Sequence, residues 1–238
     1  VTTPREWVPF STDGGDEPTM GFGRAELLYA LLAQPTPTAV QTAQKLGYAE
    51  IEVNDNTRLV GGSSLFAQGQ LVTTDGETFL PVREAALLSR AAERLEAWIT
   101  LGAIGDDAGE AMIGLAVDDA LILIAPAPLG SFIVTLVPGG EHLLDVIGGM
   151  LAARLEAAAP GGDPVFLNVE YVDEQSSTMF VRRHPDDEAG FEVALGEGTE
   201  SKPPILDGVQ SGDDVDEFIA DMLGVDAETG LPLEAPSG

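Results

Sequence analysis

The side chains from which this sequence could build chemistry are few: two histidines, His142 and His184, no cysteine, and a run of carboxylates at Asp213, Asp214, Asp216 and Glu217. A histidine does general acid–base work when a nucleophile or carboxylate is held beside it. Here His142 opens a predicted helix and His184 sits in a charged turn, positions that suit a surface role. Without cysteine there is no thiolate nucleophile, no disulfide and no cysteine metal site. The carboxylate run could meet a calcium ion, but it lacks EF-hand spacing and reads as the solvated start of a helix. Gly62-Ser63-Ser64-Leu65 lacks the Gly-x-Ser-x-Gly pattern of a hydrolase nucleophile elbow. Gly21-Phe22-Gly23 neither follows a predicted strand nor carries the third glycine of a phosphate-binding loop. The residues therefore present no catalytic or metal-ligating motif and imply no cofactor. A site gathered by the fold from ordinary Asp, Glu, Ser and Tyr side chains would leave no motif, and Glu170, Tyr171 and Asp173 are the first residues to inspect for one.

Charge narrows the partners. Forty acids against eleven bases give a formal charge of −29 over 238 residues. Such a surface repels phosphate backbones and anionic membranes, so neither nucleic acid nor membrane is expected as a partner; the field favours basic proteins or serves solubility. A hydrophobic content of 44% still provides for a folded core. The most apolar region, residues 112–137, is interrupted by Asp118-Asp119, Pro126 and Pro128, where a membrane span needs about 20 uninterrupted apolar residues. No basic stretch followed by an apolar run opens the chain, so a cytoplasmic location is expected.

Whatever the protein does must be positioned by the following elements. Residues 1–23 read as an arm, with Trp7 and Phe10 as its anchoring rings. Residues 24–195 read as the body. Its first part, 24–82, holds a helix from Arg24 to Ala33, a helix capped by Thr38 and closed by Gly47, and a helix over 55–68 with Leu59, Val60, Leu65 and Phe66 facing inward. An Asp75-Gly76 hairpin follows, between strands 70–74 and 77–82. Three helices and a hairpin give a winged-helix-like order, but Arg58 is the one base between residues 50 and 82, so a DNA-binding wing is excluded and such a unit would bind protein. The second part, 83–195, begins with an amphipathic helix over 82–98 carrying Ala85, Leu88, Ala91, Ala92, Leu95 and Trp98; its end overlaps a candidate strand over 97–104. Strands over 110–117, 120–125 and 131–137, a helix over 141–158, and strands over 165–172, 178–183 and 191–195 complete it. The Gly148-Gly149 pair inside the long helix predicts close packing against a neighbour. This order argues for an α+β fold with an antiparallel sheet flanked by helices. Residues 196–238 read as an acidic tail. Within it Val215, Phe218, Ile219 and Met222 make an apolar stripe on a helix over 213–223, to be laid either against the chain's own body or into the groove of a partner.

Several segments, taken in order, resemble the EspG family, the cytosolic chaperones of type VII secretion in actinobacteria. They are Gly61-Gly62-Ser63-Ser64-Leu65-Phe66-Ala67-Gln68-Gly69-Gln70-Leu71-Val72 followed by Asp75-Gly76, the helix at 82–98, the strands at 110–137 ending in Leu136-Val137-Pro138, and the helix at 141–158. The first stretch is similar to that family's helix ending before a short strand. The resemblance covers roughly residues 24–195 and carries over no individual binding residue. It implies an α+β protein that binds secreted protein pairs and performs no chemistry. The expected function is thus a non-enzymatic protein-binding factor, chaperone or adaptor, acting through the body and through Val215, Phe218, Ile219 and Met222. Two alternatives are a carboxylate-containing enzyme or small-molecule site, and an acidic DNA mimic that blocks a nucleic-acid-binding protein.

Overall fold

The computed structural model describes residues 19–48, 54–73, 75–103, 111–117, 120–137, 143–172, 175–187, 189–197 and 209–227. Trp7, Phe10, Asp118, Asp119, His142 and Asp173 lie outside them. Among the described residues ten strands and six α-helices follow in the order β1 (Thr19–Gly23), α1 (Arg24–Leu31), α2 (Pro37–Lys45), α3 (Asp55–Ala67), β2 (Leu71–Thr73), β3 (Phe79–Pro81), α4 (Arg83–Glu93), β4 (Ala97–Ala103), β5 (Met112–Val117), β6 (Ala120–Ala127), β7 (Ser131–Val137), α5 (Leu143–Ala157), β8 (Val165–Tyr171), β9 (Ser176–Arg183), β10 (Phe191–Glu197) and α6 (Gly212–Leu223). Eight strands form one antiparallel sheet, ordered β1-β7-β6-β5-β4-β8-β9-β10; β2 and β3 pair separately. The fold is α+β, as expected.

The central strands are apolar on both faces. In β6, Leu121, Ile122, Leu123 and Ile124 are all buried, a pattern that requires cover above and below. Alternation sends Trp98, Ile113, Leu115, Ile122, Ile124, Phe132 and Val134 into a core shared with α1, α2 and α4. The opposite face, with Ile99, Leu101, Leu123, Val165, Leu167, Val169 and Val181, packs against α5 and α6. Helix α2 is strapped onto its face by polar groups: Trp98 Nε1 donates to Thr42 Oγ1 at 2.9 Å, Thr42 Oγ1 donates to the Thr38 carbonyl at 2.8 Å, and Thr38 Oγ1 donates to the Ala92 carbonyl at 2.6 Å.

Several expectations are corrected. Residues 19–23 are an edge strand rather than part of the arm; Met20 and Phe22 turn into the helical core despite the glycines Gly21 and Gly23 beside them. The cap of α2 is Thr36, which accepts from Ala39 N, with Pro37 in the first helical position, where its missing N–H costs no hydrogen bond. Helix α4 ends at Glu93, and Trp98 belongs to β4. The hairpin turn is wider than two residues. Asp75 Oδ1 accepts from Glu77 N and Thr78 N at 2.9 and 2.7 Å, holding the chain out of the ladder from Asp75 to Thr78. These backbone donors hold its carboxyl at a pKa of about 2, so Asp75 stays ionised.

The largest correction concerns α3. Its buried residues are Gly61 and Leu65; Leu59, Val60 and Phe66 face solvent. A Cβ at Gly61 would stand 2.0 Å from the Ala25 carbonyl oxygen, and one at Gly62 would stand 2.7 Å from the Tyr29 ring. The glycines let α3 lie directly on α1, and that contact, not side-chain hydrophobicity, sets which face turns inward. By contrast, Gly148 meets only Asp216 Oδ1, at 3.4 Å, and Gly149 meets nothing within 4 Å, so the close packing predicted there is found instead at Gly61-Gly62. Two non-glycine residues take positive φ, Arg83 at the start of α4 (φ 53°) and Leu129 in the β6–β7 turn. Leu129 has φ 64° and ψ 21°, a left-handed conformation that costs a leucine roughly 1–2 kcal/mol.

Gly61→Ala is expected to destabilise the chain by about 1–3 kcal/mol, the usual cost of overpacking. Gly149→Ala is expected to stabilise it by about 1 kcal/mol, through helix propensity alone. Thermal denaturation of the two variants beside the parent checks both signs.

Candidate protein-binding face

Each residue singled out from the sequence has a definite place. In α6, Val215, Ile219 and Met222 are buried in the core shared with α5 and the sheet, and Phe218 is half-buried against it. The apolar stripe is thus laid against the chain's own body. Ser211 caps the helix by accepting from Asp214 N, and Asp214 returns a carboxylate to Ser211 N at 2.7 Å. Gly224 closes it in the left-handed conformation, φ 66°. Asp213, Asp214, Asp216 and Glu217 lie at its start, and among the described residues no group of His, Asp or Glu side chains is arranged to hold a metal ion.

Glu170 and Tyr171 do not converge, because successive residues of β8 point to opposite faces. Glu170 accepts from Lys45 Nζ at 2.6 Å and from Gln41 Nε2 at 3.0 Å, on the α2 side. Tyr171 OH donates to the Met222 carbonyl at 3.2 Å, on the α6 side. His184 lies in the β9–β10 turn, where Nδ1 accepts from Asp186 N at 3.2 Å. Arg182 and Glu192 form an ion pair across β9 and β10.

The feature missed from sequence is a surface. Of eleven exposed large apolar side chains among the described residues, six lie on α3 and the β2–β3 hairpin: Leu59, Val60, Phe66, Val72, Phe79 and Leu80. Leu59 is 68% exposed and Val60 62%, far more than a half-covered helix face retains. Leu59 and Phe66 are two turns apart on one side of α3. Phe66 meets Phe79 edge-on with ring centroids 5.5 Å apart, tying the hairpin to the helix. Val72 and Leu80 are cross-strand partners on the hairpin's outer face. Single exposed leucines are ordinary, whereas this concentration makes α3 and the hairpin the candidate for an interaction surface.

Two contacts in particular hold α3 in place. One is the glycine contact with α1. The other is Glu26, whose Oε2 accepts from Gly23 N at 2.6 Å while Oε1 accepts from Gln68 Nε2 at 2.7 Å and from Ser64 Oγ. The local charge is also unlike that of the rest of the chain. Residues 24–103 hold nine acids and six bases, a net of −3, whereas residues 104–238 hold twenty-seven acids and four bases, a net of −23. The apolar face therefore belongs to the nearly neutral part of the sequence. No protein-family model matches the chain, and a search of curated proteins finds no significant relative. Among the described residues no helix is long and apolar enough to cross a membrane.

Carboxylates collect where α6 meets α5. Asp216 turns Oδ1 toward Gly148, with Asp213 one turn before it and Asp145 on α5. Burial first, then repulsion from Asp213 and Asp145, raises the Asp216 pKa. A raised aspartate pKa means that the fold disfavours the charged form, so stability is lost as pH rises from the ordinary value of 3.8 through the raised one. Asp216→Asn is expected to raise the melting temperature at neutral pH and to lose that advantage in acid. Melting curves of variant and parent across that range check it.

Proposed function

We propose that this protein is a non-enzymatic binding factor, a chaperone or adaptor, that holds an apolar segment of a protein partner on α3 and the β2–β3 hairpin. The observation that carries the reading is that six large apolar side chains of α3 and the adjoining hairpin, Leu59, Val60, Phe66, Val72, Phe79 and Leu80, are left in solvent. Covering such side chains releases their hydration water and contributes about 25 cal/mol for each Å² of apolar surface buried. The resemblance to EspG chaperones supports the same reading and adds a more specific one, a cytoplasmic escort of secreted protein pairs in type VII secretion. The charge distribution suits an escort. The part of the sequence that carries the face, residues 24–103, holds a net of only −3, while the strongly acidic remainder keeps the loaded complex soluble and apart from other complexes.

Because this contact is apolar, it should survive salt that screens charge attraction. Affinity purification from native cells is expected to retain a protein partner at ~0.5 M salt, where the Debye length is well under 10 Å. The double variant Leu59→Ser/Leu80→Ser should lose that partner while its melting temperature stays within about 1–2 °C of the parent, since both sites are exposed. Recovery of the chain alone at every salt concentration would count against the reading.

A further inference from the structure

The outer edge of β1 has a hydrogen-bonding phase that its surroundings fix. Gly23 N donates to Glu26 Oε2 at 2.6 Å, so it does not donate across to Ser131, its neighbour in β7. Antiparallel pairs alternate between those that exchange hydrogen bonds and those that do not. Phe22 and Met20 therefore bond to Phe132 and Val134, while Gly21 and Thr19 turn their N–H and C=O groups to the outer edge. Pro126 gives the same phase from the other side of β7. It stands opposite Phe132 with no N–H to donate, which leaves the Phe132 backbone directed to β1.

Among the described residues no strand takes up the outward groups of Gly21 and Thr19. The strand Thr-Met-Gly-Phe-Gly carries neither charge nor proline, the side chains that blunt such an edge. A Cβ at Gly21 would meet nothing within 4 Å, so a neighbouring strand can lie close and a cross-strand side chain can cover the glycine. Groups of this kind select an extended backbone. The sequence just before β1 supplies one: Trp7-Val8-Pro9-Phe10-Ser11-Thr12 is uncharged and half apolar or aromatic. It is joined to Thr19 by Asp13-Gly14-Gly15-Asp16-Glu17-Pro18, a run of turn residues.

We propose that residues 7–12, which lie outside the described residues, pair antiparallel with the outer edge of β1, with Phe10 opposite Gly21 and Ser11 opposite Met20. Two requirements select that register. Pro9 falls opposite Phe22, whose backbone groups are spent on β7, so the missing N–H faces away from β1, where a sheet edge tolerates proline. Phe10 falls opposite the open glycine, and an aromatic ring across from an edge glycine restores the contact that glycine lacks. A slip of one residue would set Pro9 against an outward-facing residue of β1 that needs a donor. The segment thus caps its own sheet and closes that edge to strands of other chains. A second copy pairing β1 with β1 is the poorer occupant, since it would bring two formal charges of −29 together. The inference is independent of the binding-factor reading above.

The chain has no cysteine, so engineered thiols report on this pairing without interference. Ser11→Cys/Met20→Cys sets two thiols in an opposed pair that exchanges no hydrogen bonds, where Cα atoms lie ~4.5 Å apart and a disulfide can close. Thr12→Cys/Met20→Cys sets them on opposite faces. Under mild oxidation the first pair is expected to close within one chain at least about tenfold faster than the second, as followed by mass spectrometry. Equal rates, no closure, or a disulfide between two chains would overturn the inference, the last in favour of a second copy. The unaltered protein gives a second reading. Hydrogen exchange at the Gly21 amide is expected to be slowed as it is at Phe22, and a freely exchanging Gly21 beside a protected Phe22 would overturn the pairing as well.

Discussion

The structure depends on one constraint: an antiparallel sheet whose central strands are apolar on both faces has to be covered twice. Four consecutive buried residues in β6 leave no solvent face there. Helices α1, α2 and α4 close one side, and α5 and α6 close the other. This accounts for the tail helix. An amphipathic helix of 12 residues is marginal in water by itself, and the second core provides the surface against which its stripe is stabilised. Freeing α6 for a partner would expose Val215, Ile219 and Met222 together with the side chains beneath them.

Once both faces are covered, α3 has no sheet to cover. It lies on α1, held by contacts in which Gly61 and Gly62 bring the two helices close together. A helix attached by its glycines must turn its bulky side chains elsewhere. For Leu59, Val60 and Phe66, elsewhere is solvent. The hairpin that follows is fastened by Leu71, which is buried, and by the edge-on contact of Phe79 with Phe66; Val72 and Leu80 are left outside. The apolar face is therefore a consequence of how the fold is assembled, made from side chains that no core accommodates.

That explains which parts of the protein were legible in its sequence. Strands β5 to β10 showed as period-two or continuous apolar runs between turn residues, and α5 and α6 as helical stripes with recognisable starts and stops, because local propensity and burial agree there. The face was not legible. Hydrophobic periodicity places the largest apolar residues inward, and in α3 that rule gave way to glycine packing whose partner lies 36 residues away, at Ala25. The edge strand β1 was hidden for a related reason: its two glycines argue locally against a strand, and only its pairing with β7 and the burial of Phe22 make one. The carboxylate candidates failed differently. Glu170 and Tyr171 are adjacent in the sequence and for that reason on opposite sides of the sheet.

Places where a sequence departs from its own local rules, without gaining stability inside the fold, are where function is to be sought. Glycine inside α3 is repaid by the close approach to α1, so it is structural in itself and functional only in what it displays. The six exposed apolar residues on α3 and the hairpin receive nothing comparable within the chain. Solubility alone would favour polar residues at all of these positions. Under the proposed reading, a partner that covers them supplies the missing stabilisation, and the acidity of the remainder keeps the assembled pair dispersed rather than selecting the partner.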